Sequence, residues 1–102
     1  MRAPPSGAQF RLSSGDQEAT VVEVGGGLRT YTVGGVDVLD GYGEDEMAGG
    51  GRGQHLLPWP NRIRDGKYTF EGAELQLALT EPARHNDSNG LVRWANWVPA
   101  LE

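Results

Sequence analysis

The sequence predicts an all-β chain of antiparallel strands. Three observations carry this: short β-branched or alternating runs, glycine-containing pairs between them, and no apolar stripe of 3.6-residue period long enough for a helix. Residues 19–24 (ATVVEV) are β-branched and stop at Gly25-Gly26-Gly27, and residues 28–33 (LRTYTV) alternate. Gly34-Gly35 then joins that strand to residues 36–39, a hairpin signal because both central positions of a type I′ turn need positive φ. From 40 to 53 the chain turns to glycine and acid, which reads as one long loop. Residues 67–70 and 73–79 form a second hairpin across Glu71-Gly72. In its second arm Leu75, Leu77 and Leu79 share one face and Glu74, Gln76 and Ala78 the other, the pattern of a half-buried strand. Residues 82–90 are polar turn chemistry, and 91–98, with Trp94 and Trp97, read as a last strand.

A chain of 102 residues is the size of one domain, but its resources for a core are thin. Its 16 glycines are about twice the average share, and long apolar side chains are sparse. Stability is therefore expected to need a partner or further chain, and a sheet face left apolar is expected to drive self-association. A net charge of -5 without a Lys/Arg cluster argues against nucleic acid. With no cysteine, disulfides and thiolate metal sites are excluded. The start MRAPPSGAQF has no apolar signal region and nowhere do eighteen apolar residues run together, so neither secretion nor a membrane is expected, and the cytoplasm is the expected compartment.

The run PWPNRIRDGKYTFEG, residues 58–72, is the most informative. Two prolines two apart are incompatible with a helix interior and hold Trp59, Asn61 and Arg62 on a stiff, extended loop. A fixed guanidinium offers a planar fork of donors to hydroxyls, carboxylates or phosphates, and the adjacent amide offers a donor and an acceptor. This run, followed by AELQLALTEP and then NDSNGLVRWANW, resembles in order and spacing the aldose 1-epimerase (galactose mutarotase) family, with its N-R-[IL]-x-x-G-x-[YF]-x-[FL]-x-G block, a strand, and an N-x-x-H-G block. Residues 25–42 are similar to that family's opening hairpin. The resemblance implies an antiparallel β-sandwich of the galactose mutarotase-like type, and, since complete members run to about three hundred residues, residues 1–102 as a single N-terminal portion of it.

The family's reaction, as the resemblance implies, is the interconversion of α and β hexose anomers without a cofactor. It calls for a general base and a general acid flanking the sugar. In the family a C-terminal Glu is the base, a mid-chain His the acid, and a second His, in N-x-x-H-G, helps the Arg of N-R to hold the ring oxygen. Carried over, the Arg is Arg62, beside Asn61, and the block is Asn86-Asp87-Ser88-Asn89-Gly90, so Asn89 stands where the His belongs. An amide hydrogen-bonds but does not transfer protons near neutral pH, and His85 is out of register. The base and the mid-chain acid have no counterpart. The substrate-binding set implied is thus Asn61, Arg62, Asn86, Asn89 and Arg93, with no confident catalytic residue. The expected ligand is a hexose or a sugar phosphate, the latter because Arg93 sits where hexose-6-phosphate mutarotase relatives place a second Arg. Either the chain is an aldose 1-epimerase-like isomerase inactive by itself, or it is a non-catalytic carbohydrate-binding or assembly module.

Other motifs carry less. Gly49-Gly50-Gly51-Arg52-Gly53 lacks the Lys-Ser/Thr of a P-loop, His55 and His85 have no ligand-like neighbours, and Glu44-Asp45-Glu46 lacks EF-hand spacing, so no metal is expected. Asn86-Asp87-Ser88 is a formal glycosylation acceptor without a secretory route. Trp59, Trp94 and Trp97 suit a core, or, for one of them, the apolar face of a pyranose ring.

Overall fold

The computed structural model describes residues 3–100, apart from the side chains of Arg84 and Asn86. Those residues form eight strands and two 3₁₀ turns, with no α-helix, and every strand pairing is antiparallel. No helix among them is long and apolar enough to cross a membrane. They divide into two units, one made of the chain up to His55 together with the segment from Arg93 onward, the other of Leu56–Val92.

The first unit is a four-stranded meander, β1 (Gln9–Ser14), β2 (Gln17–Val22), β3 (Leu28–Val33) and β4 (Val36–Asp37), hydrogen-bonded in that order. β3 has the expected limits, and the turn after it has φ of 57° at Gly34 and 79° at Gly35, the two positive values that a side chain would resist. β2 lies two residues earlier than expected, and its register against β3 shifts between Thr20 and Val21. β4 is shorter than expected: the Tyr31 carbonyl accepts from both Val38 and Leu39, which turns the chain out of the ladder. β1 was not legible in its mixed sequence QFRLSS, of which only the first two residues are partly covered. Residues 91–98 do not form the expected strand. They make one isolated bridge, Val24 to Asn96, flanked by hydrogen bonds from Gly25 to Ala95 and from Trp97 to Glu23. Trp94 and Trp97 are exposed rather than core.

Apolar burial is slight. Among the described residues the buried apolar side chains are Val22, 1 % exposed, and Tyr42, 7 % exposed. Polar ties compensate: the Arg29 guanidinium donates to Gln9 Oε1 at 2.7 Å and to the Tyr42 carbonyl at 2.8 Å, joining β1 and the acidic loop to β3. The glycine run Gly49–Gly51 is a 3₁₀ turn, after which Arg52 bonds back to the Gly41 and Gly49 carbonyls.

The second unit holds two strand pairs, β5 (Arg62–Arg64) with β8 (Asn86–Ser88) and β6 (Lys67–Phe70) with β7 (Ala73–Gln76). The β6–β7 turn falls at Glu71-Gly72 as expected, with φ of 50° and 80°. The expected half-burial of the second arm does not hold. Every residue of β7 is exposed, Leu79 is exposed and Leu77 only partly covered, and the strand ends at Gln76, whose amide turns back to the Asp65 and Leu77 carbonyls. Residues 82–90 are more than a turn, holding a 3₁₀ turn at Pro82–Arg84 and β8.

Burial raises the Tyr42 phenol above its ordinary value of 10.0, against a smaller opposing pull from the Arg29 and Arg52 cations. The fold thus prefers the neutral phenol: its contribution is complete below pH 10.0 and is lost as pH rises through the folded-state value. Tyr42→Phe is expected to flatten the loss of stability on alkaline titration, measured by urea unfolding at pH 8 to 11. An equal alkaline loss in both proteins overturns this assignment.

Candidate functional site

The register of β5 on β8 builds the site. Arg62 pairs with Ser88, Ile63 with Asp87 and Arg64 with Asn86, so one step beyond the strand ends Asn61 faces Asn89. Both are left-handed, with φ of 68° and 65°, a conformation that Asn tolerates better than most residues. They clasp each other: Asn89 N–H donates to the Asn61 carbonyl at 2.6 Å, and Asn61 N–H to Asn89 Oδ1 at 2.8 Å. Asn61 is therefore not in the extended conformation that the proline run suggests. Beyond the clasp Gly90 passes the Leu57 backbone so closely that a Cβ would lie 2.0 Å from the Leu57 carbonyl oxygen.

A relay from β8 brings in a residue the sequence reading missed. Thr80 Oγ1 accepts the Ser88 N–H at 2.8 Å and faces Asp87 Oδ1 at 3.5 Å, which holds the chain ahead of the Pro82 turn against β8. Glu81 is thereby set beside Arg62. Nε of Arg62 lies 2.5 Å from Glu81 Oε1 and Nη2 3.4 Å from Oε2, while Nη1 faces Asn61 Oδ1 at 3.4 Å. The pair is surface-accessible, 45 % exposed at Arg62 and 27 % at Glu81. The hydrogen bond to Glu81, and secondly its charge, hold the Arg62 guanidinium above its ordinary value. Asp87 is 2 % exposed, and its Oδ2 has no hydrogen-bond partner among the described residues.

The structure thus brings together Asn61, Arg62 and Asn89 and adds Glu81. The side chain of Asn86 lies outside the described residues. Arg93 belongs to the first unit, where its guanidinium carbon lies 5.3 Å from the Trp94 ring centroid. Trp59, in the second unit, is partly buried and tilted against Tyr68 at 6.0 Å between centroids. His55 packs on Trp97 at 5.4 Å in the first unit. His85 closes the Pro82–Arg84 turn in the second, its carbonyl accepting from Asp65. No linear motif marks Glu81, whose place beside Arg62 follows from the pairing of β5 with β8.

The N-R arginine beside an antiparallel strand pair is in keeping with the resemblance, while Asn89 departs from its N-x-x-H-G block. The aldose 1-epimerase family profile matches residues 8–99, and the chain belongs to that family. It is 38 % identical over 92 residues to YihR, an uncharacterized protein of Escherichia coli strain K12, a match covering 90 % of this chain and 30 % of YihR. It is similar to the crystal structure of a galactose mutarotase-like protein from Clostridium acetobutylicum, with a TM-score of 0.64 at 21 % identity over 87 % of this chain and 29 % of that one. The fold is therefore the galactose mutarotase-like one, of which the chain holds a part: it spans less than a third of each relative's length.

The clasp makes a testable demand on Asn89. Asn89→Ala is expected to cost about 2 kcal/mol, from one lost hydrogen bond and a left-handed residue with an ordinary Cβ. Asn89→Asp, which keeps an acceptor and tolerates the same φ, is expected to cost less than about 1 kcal/mol. Urea unfolding followed by tryptophan fluorescence measures both, and equal losses would show that the side-chain acceptor does not matter.

Proposed function

We propose that the corner formed by Asn61, Arg62 and Asn89 binds a hexose, and that this chain, by itself, holds the sugar without accelerating its mutarotation. The observation that carries this is the clasp at the N-R position of an aldose 1-epimerase family member, with an amide where the family pattern has a histidine. Opening a pyranose requires the anomeric hydroxyl to lose a proton while the ring oxygen gains one. Neither Asn61, Arg62 nor Asn89 exchanges protons near neutral pH, and both carboxylate oxygens of Glu81 are engaged by the Arg62 fork, so the corner orients hydroxyls and a ring oxygen but does not supply the acid and base pair that the exchange needs. Two donors of Arg62 remain for a sugar oxygen, and Asn89 keeps its Nδ2 group for the same use, since its Oδ1 is taken by Asn61. Trp59, on the same proline run, is the candidate ring face. The remaining acid and base of the reaction belong to a part of the family fold for which residues 1–102, as an N-terminal portion, offer no counterpart.

The test combines polarimetry and binding. With freshly dissolved α-glucose or α-galactose, the purified chain is expected to leave the rate near the spontaneous one, since each positioned acid or base is worth about 10²- to 10⁴-fold. Sugar binding, read by NMR line shifts, is expected to weaken about tenfold in Arg62→Lys, which keeps the charge but loses the fork. Acceleration proportional to protein and abolished in Arg62→Ala would overturn the non-catalytic reading. A lower melting temperature in Arg62→Lys with unchanged sugar affinity would make the arginine purely structural.

The exposed Phe70 and Leu75 in the second unit, and Leu12 and Val36 in the first, support self-association through apolar sheet surface. Sedimentation velocity is expected to show a concentration-dependent species heavier than the monomer. A monomer at every concentration refutes it.

A further inference from the structure

We propose that Glu81 sets the charge class of sugar that the Arg62 corner accepts, admitting neutral hexoses and turning away sugar phosphates and sugar acids. The proposal rests on the hexose-binding reading of the same corner. An arginine that recognises a phosphate or carboxylate does so with two parallel N–H groups of its fork. Here the fork edge of Nε and Nη2 already faces the two oxygens of Glu81, at 2.5 and 3.4 Å. With one Nη1 hydrogen toward Asn61 Oδ1, two of the five N–H groups have no partner among the described residues, one on each terminal nitrogen. Those two can donate to a ring oxygen and a hydroxyl, and what disfavours an anion there is charge rather than a shortage of donors. An anion arriving there meets a guanidinium whose charge is already matched, beside a carboxylate held in place by the Thr80 and Ser88 contact. The chain's net charge of -5 adds to the repulsion.

Glucose and glucose 6-phosphate, titrated by NMR at low salt into the wild type, Glu81→Gln and Glu81→Gln/Arg62→Gln, test this. The wild type is expected to bind glucose more tightly than glucose 6-phosphate. In Glu81→Gln the ratio of glucose 6-phosphate affinity to glucose affinity is expected to rise about tenfold, the effect of removing one unit charge about 4 Å from the ligand's own. The gain should shrink with added salt and vanish in the double variant. Glu81→Ala, carried alongside, must show the same gain, so that misfolding of one variant does not decide the matter. An unchanged ratio with glucose still bound overturns the role of Glu81 and leaves the hexose reading standing. A gain for the phosphate with no glucose binding in any protein supports the anion block and sinks the hexose reading. No binding of either sugar by any variant overturns both.

Discussion

The second unit depends on two asparagines closing a pair of three-residue strands. Strands that short fix little register by themselves, and a slip of one residue would move every side chain to the opposite face. The clasp pins the register: Asn61 and Asn89 both turn left-handed at the strand ends and exchange two hydrogen bonds, one of them through a side chain. Gly90 then lets the chain pass the Leu57 backbone at a distance no side chain permits. Arg62 is the first paired residue after the clasp, so the direction of its guanidinium follows from the clasp geometry. The same contact limits what the amide at the family's histidine position can do. Its acceptor closes the sheet, and only its donor is left for a ligand.

Glu81 belongs to a relay that runs the other way, from β8 back to the arginine. The Thr80 hydroxyl satisfies a Ser88 N–H that would otherwise end the ladder without a partner, and one residue later the carboxylate meets Arg62. Ion pairs this accessible contribute little to stability, so the fold does not need the pairing for its own sake. Its effect is local. It aligns a planar fork, removes its most anion-seeking edge from use, and leaves donors for a ring oxygen and a hydroxyl.

The sequence disclosed turns more readily than burial, for a physical reason. Gly34, Gly35 and Gly72 accept positive φ through their own chemistry, and both turns stand where the residues place them. The alternation of 73–79 implies a covered face, but covering needs a second layer, and among the described residues β7 has none. β1 and β8 escaped notice because QFRLSS sets only Phe10 and Leu12 among polar residues and NDS has no apolar one; they are strands because β2 and β5 lie beside them. At the site, Asn61, Arg62 and Asn89 were legible from a linear motif. Glu81 lies nineteen residues from its partner and was not, since only the register of β5 on β8 brings the two together. Trp94 and Trp97 differ from expectation for a related reason: 91–98 has the composition of a strand, yet it makes one bridge, at Val24, and leaves both rings exposed.

Proton chemistry separates what this corner holds from what the family's reaction requires. Mutarotation needs groups that gain and lose protons within the working pH range, placed on both sides of one ring. The corner's ligand-facing groups are two amides and a guanidinium, none of which changes charge near neutrality, and the guanidinium is held further from doing so by Glu81. Such a set gives a hydrogen-bond pattern that stays constant where a histidine's would switch. That constancy fits orienting a ligand through hydrogen bonds, whereas ring opening calls for groups that titrate.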